Sequence, residues 1–127
     1  MSELTAINDL MEQYFTFLHT GDLELLDDLF LPECQLVCPD QKGGVIRLNL
    51  EEYRRRISSR PSPKSLDFPR YGCVLHIDIG AAHMAVSKVS CAVQPNFFTD
   101  YLTLLKIDGA WKIAAKVYEL TDPTQQE

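Results

Sequence analysis

Apolar residues at three- and four-residue intervals indicate that the chain begins with a helix. Between Leu4 and Leu18 they recur with the period of one helix face. Ser2 is a suitable N-cap, and Gly21 suits the left-handed residue that closes a helix. The apolar positions of this predicted first helix are Leu4, Ile7, Leu10, Met11, Tyr14, Phe17 and Leu18.

A second, shorter helix is predicted directly after the first. Asp22 can cap its first turn, and Leu26, Leu29 and Phe30 would face inward. Pro32 follows just past its end, where proline is commonly found.

Turn residues between short apolar runs predict a hairpin and a third helix. Residues 35–37 and 44–48 are interpreted as two strands, because the stretch between them is rich in Pro, Asp and Gly. Asn49 followed by Glu52 resembles a capping box, which would open a helix through Ile57.

The rest of the chain is rich in β-forming residues. Runs at residues 71–79, 84–93, 97–107 and 111–120 are separated by turn-sized gaps and predict an antiparallel meander. Asp108 and Gly109 suit the two positive-φ positions of a type I′ turn. With no internal repeat or linker, we expect one α+β domain over residues 1–127, in the order α-α-β-β-α-β-β-β-β.

Composition is that of a globular chain, with 46% apolar and 24% charged residues. The N-terminus lacks a basic region followed by an apolar run, and no segment has the ~18 apolar residues that cross a bilayer. We therefore expect a cytoplasmic protein without a membrane partner. The four cysteines lack paired spacing and the three histidines lack metal-ligand spacing, so we expect mostly buried thiols and no metal site.

The distribution of charge bears on partners. A net charge of −6 opposes binding to nucleic acid. Six of the twelve basic residues nevertheless lie between Arg54 and Arg70. This cluster is interpreted as a solvated helix face, as an anion-attracting rim, or as a contact with acidic helices of a partner subunit.

The order of elements, together with the run FTDYLTLLKIDGAWKI at residues 98–113, resembles the nuclear transport factor 2-like superfamily, which includes SnoaL-like and ketosteroid isomerase-like proteins. Within it, the chain is most similar to the putative lumazine-binding branch. Residues 14–22 resemble that branch's first-helix ending, residues 50–61 its third helix, and residues 116–118 its last strand.

The resemblance implies a cone-shaped fold, in which a strongly curved antiparallel sheet wraps around the N-terminal helices and leaves an apolar cavity open at one end. It also implies a homodimer formed through the outer sheet face. The expected partner is a small organic ligand, such as an aromatic or polycyclic compound. Because the superfamily includes both enzymes and carriers, it does not fix the function.

Strand pairing singles out Asp100 as a candidate functional residue. A two-residue turn at Asp108 and Gly109 would pair Ile107 with Ala110 and Asp100 with Val117. Asp100 would then be the single carboxylate on a face with Leu102, Leu104, Trp111, Ile113, Ala115 and Val117. Such a desolvated carboxylate suits proton transfer, or else is satisfied by backbone or an ion pair. Lys116 would lie on the opposite face unless a bulge intervenes.

Other candidates accompany Asp100. Tyr14 lies on the apolar stripe of the first helix, where its hydroxyl would bind a ligand carbonyl or reach the edge of the core. In the related ketosteroid isomerases a Tyr and a protonated Asp form an oxyanion hole. His76, expected on the face of Val74 and Asp78, is a proton-transfer candidate or a satisfied histidine. Predicted pocket residues are Tyr53, Leu102 and Trp111.

Three functions remain open at this point. The favoured one is a small-molecule-binding domain, since few polar groups converge on the expected pocket. The alternative is an isomerase, dehydratase or cyclase without a cofactor, using Asp100 with Tyr14 or His76 as acid, base or oxyanion donor. A dimerisation module would instead have a filled cavity and an apolar outer face.

Overall fold

A computed structural model describes residues 2–121 and has the predicted order of elements. The helices are α1 (Glu3–Thr20), α2 (Leu23–Leu29) and α3 (Leu50–Ser58), with a 3-10 turn at Lys64–Leu66. The strands are β1 (Phe30–Pro39), β2 (Val45–Asn49), β3 (Gly72–Ala81), β4 (Met84–Val93), β5 (Asn96–Ile107) and β6 (Ala110–Thr121).

The six strands form one sheet in the order β2-β1-β6-β5-β4-β3. The predicted β1–β2 hairpin and the β3-to-β6 meander are confirmed as antiparallel pairs. One expectation is corrected, because β1 pairs with β6 in parallel and the sheet is therefore only mostly antiparallel. The strand predicted at residues 35–37 also proves longer, since β1 begins at Phe30 directly after α2.

The predicted helix caps are confirmed, but α2 ends at Leu29, so Phe30, expected on its inward face, begins β1 instead. The Ser2 side chain accepts a hydrogen bond from the Thr5 N–H, and Gly21 closes α1 with φ +69°. Asp22 caps α2. Asn49 and Glu52 form the full capping box of α3. The N-terminal caps give partners to backbone N–H groups that lack them within a helix, and the Gly21 N–H donates to the Phe17 carbonyl at the end of α1.

The core lies between α1 and the inner face of the sheet. α1 contacts β3, β4 and β6, and buries its apolar stripe from Ile7 to Leu18 against them, whereas Leu4 is 51% exposed. Phe17, Phe30 and Tyr53 form an aromatic cluster with centroids 5.9 to 6.1 Å apart, which joins α1, β1 and α3.

A β-bulge in β6 decides which side chains face inward. The predicted pairing of Ile107 with Ala110 is confirmed and continues to Leu104 and Ile113. The next pair is Thr103 with Ala115, so Ala114 is an extra residue. The predicted pairing of Asp100 with Val117 is therefore wrong.

Beyond this bulge, each β6 side chain points to the face opposite to the predicted one. Asp100 pairs with Tyr118, and Leu102 pairs with Lys116. Lys116 is buried, whereas Val117 is 51% exposed. Ala115 and Val117 accordingly belong to the outer face, and Lys116 and Tyr118 to the inner face.

Two further observations concern the whole described chain. Within residues 2–121, no helix is long and apolar enough to span a membrane. All four cysteines are free; Cys34 and Cys91 are buried, Cys38 is partly buried and Cys73 is exposed.

Candidate functional site

A cavity of about 310 Å³ opens between the inner face of the sheet, the end of α1 and α3. Its apolar wall includes Leu18, Tyr53, Val93, Phe98 and Tyr118. Aliphatic and aromatic walls with a few placed polar groups are typical of small-molecule sites, and this volume lies at the lower end of their range of about 300–1,000 Å³.

Asp100 lies at the inner end of this cavity and is 0% exposed. Its Oδ2 atom accepts a hydrogen bond from the Tyr14 hydroxyl at 2.5 Å and one from the Cys91 thiol at 3.2 Å. The Lys116 ammonium lies 3.7 Å from the same oxygen. Two hydrogen-bond donors and one cation thus surround Oδ2, while Oδ1, which is itself buried, accepts no hydrogen bond from the described residues.

Lys116 is the buried cation of the site. Its Nζ lies 5.3, 5.0 and 4.8 Å from the ring centres of Tyr14, Tyr53 and Tyr118, within the range of cation–π attraction. Burial disfavours the charged ammonium, but the Asp100 carboxylate outweighs this effect and raises the pKa of Lys116 above its ordinary value. The Asp100–Lys116 ion pair is therefore enclosed by aromatic rings.

Four tyrosine and cysteine side chains in or near the site have raised pKa values. Burial, followed by the charge of Asp100, raises the pKa of Tyr14 and that of Cys91 well above their ordinary values. Burial also raises the pKa of Cys34 to about 11 and that of Tyr118 to about 12. At neutral pH these four groups are uncharged, so Tyr14 and Cys91 act as donors toward Asp100.

Asp100, Tyr14 and Tyr53 are the predicted residues that the structure brings together. Asp100 and Tyr53 line the cavity. Tyr14 lies one layer deeper, fully buried in the core, and reaches the site through its bond to Asp100. Its hydroxyl therefore positions the carboxylate.

Leu102, Trp111 and His76 lie elsewhere. Leu102 is fully buried in the core and does not line the cavity. Trp111 packs near the start of α1, where its indole N–H donates to Glu3 at 3.0 Å. His76 is exposed on the edge strand β3, opposite Lys88.

The face predicted for His76 is also corrected. Val74 pairs with Val89 and His76 with Lys88, so Leu75 is an extra residue in β3. This bulge places His76 on the face opposite to Val74, although it shares a face with Asp78 as predicted.

Cys91 and Tyr118 are site residues that the sequence did not indicate. Cys91 lies on the inner face of β4 and pairs with Phe98 of β5. Nothing in its local sequence distinguishes it from a core thiol. Tyr118 reaches the cavity only because of the bulge at Ala114.

The mouth of the cavity is polar. Arg56 and Arg60, four residues apart around the end of α3, both line it and form no ion pair with the described residues. Asp40 lies nearby in the β1–β2 turn, where its Oδ1 accepts the N–H groups of Lys42 and Gly44 at 2.7 and 2.8 Å. Those backbone hydrogen bonds lower the pKa of Asp40.

The described residues contain no set of side chains suited to binding a metal ion. Across residues 2–121, no group of three or more His, Cys, Asp or Glu side chains could hold a metal ion. The polar groups of the cavity are instead those that bind organic ligands: the carboxylates of Asp40, Asp100 and Glu119, the ammonium of Lys116, two tyrosine hydroxyls and two guanidinium groups.

Comparison with known proteins identifies the family. The model of the Putative lumazine-binding family matches residues 2–119. The chain belongs to this family. A search of curated proteins gives no match.

Solved structures with the same fold are related to this member of the Putative lumazine-binding family at low sequence identity. A nuclear transport factor 2-like protein of unknown function from Silicibacter pomeroyi has a TM-score of 0.83 and 19% identity, covering 95% of this chain and 100% of that chain. One from Methylobacillus flagellatus has a TM-score of 0.78 and 20% identity, covering 96% of each.

A further similar structure carries an enzyme name. The putative scytalone dehydratase of Novosphingobium aromaticivorans has a TM-score of 0.62 and 19% identity, covering 94% of this chain and 85% of that chain. At such identities the likeness shows the fold alone, which confirms the α+β, nuclear transport factor 2-like architecture predicted from the sequence.

Proposed function

We propose that this protein binds a small organic ligand in the cavity that Asp100 and Lys116 line. The observation that carries the proposal is the buried ion pair at the wall of a cavity that is polar at its mouth and otherwise lined mainly by apolar and aromatic side chains. Removing two charges from water is costly, and replacing such a pair with apolar residues is often neutral or stabilising. A pair that stability alone does not require, placed beside a cavity, is well suited to orienting a polar ligand.

The geometry of Asp100 supports the same proposal. Its Oδ2 atom accepts two hydrogen bonds and lies 3.7 Å from the Lys116 ammonium, whereas the buried Oδ1 has no partner among the described residues. Leaving a buried acceptor without a partner costs free energy, so stability alone does not explain a carboxylate at this position.

Native mass spectrometry of protein purified from its source host tests this function. We expect a stoichiometric small molecule in the wild type, depleted in Asp100→Asn. His76→Ala is the matched control, because His76 is exposed and does not line the cavity, and it should retain the ligand. Loss of the ligand in both variants, or no ligand in the wild type and no binding of any small molecule in solution, would contradict the proposal.

A second candidate function is catalysis without a cofactor, as an isomerase, dehydratase or cyclase. It is favoured by the 2.5 Å hydrogen bond from Tyr14 to Asp100, which holds a carboxylate against the cavity. Asp100 would act as the base, and Tyr14 would position it. No geometric support exists for His76, which lies outside the cavity.

Hydrogen exchange separates catalysis from binding. The ligand recovered from the wild type would be incubated in D₂O with wild type and with Asp100→Asn, and its proton spectrum followed by NMR. Wild-type-dependent loss of a carbon-bound proton signal would indicate proton abstraction. An unchanged spectrum would leave binding as the function.

We also propose self-association through the outer face of the sheet. Tyr101 and Val117 are neighbours on that face and are each 51% exposed. A second copy of the chain would cover this apolar pair.

A cytoplasmic location is a separate proposal. It is supported by the free thiols, which suit a reducing compartment.

A further inference from the structure

The exposure of the polar side chains decides which of them can meet a ligand. Tyr14 and Asp100 are both 0% exposed. Tyr53 and Lys116 keep exposed fractions of 4% and 5%, and both line the cavity. Around the ion pair, Tyr53 and Lys116 are therefore the polar side chains that a ligand can contact, whereas Tyr14 and Asp100 act from behind them.

The Lys116 ammonium has more donors than acceptors. Among the described residues, its three N–H groups have one acceptor within hydrogen-bond distance, the Tyr53 hydroxyl at 3.4 Å. The Asp100 carboxylate, at 3.7 Å, balances the charge without accepting a hydrogen bond. Both contacts are longer than the distance of about 2.7–3.2 Å that is usual for an N–H···O bond. The ammonium therefore retains N–H groups for an oxygen atom of a ligand.

The Tyr53 hydroxyl is a second donor beside this ammonium. Its oxygen accepts the long bond from Lys116, while its proton has no acceptor within residues 2–121. The other two tyrosines around the ammonium differ, because the Tyr14 hydroxyl donates to a carboxylate and the Tyr118 hydroxyl is hydrogen-bonded to Cys38. Since the Tyr53 oxygen lies 3.4 Å from Nζ of Lys116, the two groups can donate to one ligand oxygen.

The charges on the cavity wall favour a neutral ligand. Three carboxylates and three cations line the cavity, so that its wall carries no net charge: Asp40, Asp100, Glu119, Arg56, Arg60 and Lys116. Lys116 is already 3.7 Å from the Asp100 carboxylate. A ligand carboxylate bound by Lys116 would bury a second negative charge beside the first, which is costly. A neutral carbonyl oxygen would accept both hydrogen bonds without this cost.

We propose that Tyr53 and Lys116 together bind a neutral carbonyl oxygen of the ligand, and that Asp100 holds the ammonium in place without touching the ligand. This inference rests on the proposed binding function and specifies the group that is recognised. The apolar part of the ligand would lie against Val93 and Phe98, which line the same cavity. The ligand class is therefore a neutral ketone, aldehyde or ester with an apolar body.

Two probes with the same cyclohexyl ring test the preference for a neutral oxygen by NMR titration: cyclohexyl methyl ketone and cyclohexanecarboxylate. The ketone supplies a neutral acceptor and should bind with a dissociation constant of about 1 mM. The carboxylate should bind about 10-fold more weakly or worse, because its charge has no free cation at this position.

The carbonyl carbon of the ketone reports hydrogen bonding directly. With ¹³C at this carbon, we expect the bound signal to move downfield of its position in water, because one of the two donors is charged and charge-assisted hydrogen bonds are stronger than neutral ones. Transfer from water to purely apolar contacts would move it upfield. The sign of the shift thus separates recognition of the oxygen from binding of the ring alone.

A single hydroxyl deletion assigns the effect to its residue. Tyr53→Phe keeps the ring, and should weaken ketone binding about 2- to 10-fold, as expected for one hydrogen bond, and reduce the downfield shift. Tyr101→Phe is the matched control, because it removes a hydroxyl from an exposed side chain that does not line the cavity, and it should change neither quantity. If Tyr53→Phe fails to fold, the wild-type shift and the preference for the ketone decide.

The outcomes distinguish this inference from the proposed function. An upfield shift in the wild type, binding of the carboxylate as tight as that of the ketone, or an unchanged affinity and shift in Tyr53→Phe would overturn the inference. In each of these cases, shifts at cavity amides would leave the binding function standing. No binding of either probe would also overturn it, whereas a small molecule recovered by native mass spectrometry would still uphold the proposed function.

Discussion

The Lys116 ammonium lies 3.7 Å from Asp100 Oδ2 because β6 contains one residue more than β5 between the Asp108–Gly109 turn and Lys116. The extra residue is Ala114. Without it, Lys116 would point to the outer face of the sheet and Asp100 would be buried without a cation. A backbone irregularity of a single residue therefore creates the charged part of the candidate site.

Removal of Lys116 alone should be strongly destabilising. Lys116→Met leaves a buried carboxylate with no cation, and we expect it to lower the free energy of unfolding by about 3–5 kcal/mol. The double variant Asp100→Asn, Lys116→Met should lose less than the sum of the two single variants. Urea denaturation measures all three.

An exposed lysine provides the control for this cycle. Lys42→Met, in the β1–β2 turn, should change the stability by less than about 0.5 kcal/mol. Additive losses for Asp100 and Lys116 would show that the two side chains do not interact.

The local features of this fold could be predicted from the sequence, and the long-range ones only in part. Ser2, Gly21 and Asn49 act on the nearest helix turn, so their roles follow from residue type and spacing. The pairing set by the Asp108–Gly109 turn also holds for the first four residue pairs. Beyond these pairs the prediction fails, because nothing distinguishes Ala114 from Ala115 in the sequence.

The same one-residue difference decides which side chains face the candidate site. A one-residue slip exchanges the two faces of a strand, so the pairing predicted from the turn places Lys116 on the outer face. A second bulge at Leu75 affected the face of His76 in the same way. Trp111 and Leu102 were correctly assigned to the inner face, but α1 covers that end of the sheet and leaves the cavity at the other.

Stability should decrease at alkaline pH. The pKa of Cys34 is raised by burial to about 11 from an ordinary value of 9.0, and that of Tyr118 to about 12 from 10.0. In these pH ranges the folded protein holds more protons than the unfolded chain, so the free energy of unfolding falls as pH rises. The contribution of Cys34 is fully present below pH 9 and is lost between about pH 9 and 11.

Urea denaturation at several pH values between 8 and 11 checks this effect. Cys34→Ala should reduce the slope of stability against pH, although Tyr14, Cys91 and Tyr118 will keep part of it. Cys73→Ala, which alters an exposed thiol, should leave the slope as in the wild type. A wild-type stability that stays constant over this range would contradict the prediction.

Gly72 should not tolerate a side chain. A Cβ atom at this position would lie 2.2 Å from Cγ of Phe15, whose ring is buried against the start of β3. Gly72→Ala must displace the ring or the strand, and we expect a loss of about 1–3 kcal/mol in urea denaturation. Gly80→Ala is the control, because its nearest neighbour is the flexible end of Met84 at 3.4 Å. Equal stability of the two variants would contradict the close approach.

Tyr101 tests the proposed self-association. Its side chain and that of Val117 are paired on the outer sheet face and are each half exposed. If a second copy covers them, Tyr101→Glu buries a charge in the interface and should raise the dimer dissociation constant about 30-fold or more. Sedimentation equilibrium measures this constant. Gln13→Glu places the same charge on the exposed face of α1 and should leave it unchanged. A monomeric wild type at high micromolar concentration would exclude the outer face as a stable interface, and the cavity would then have to function within a single chain.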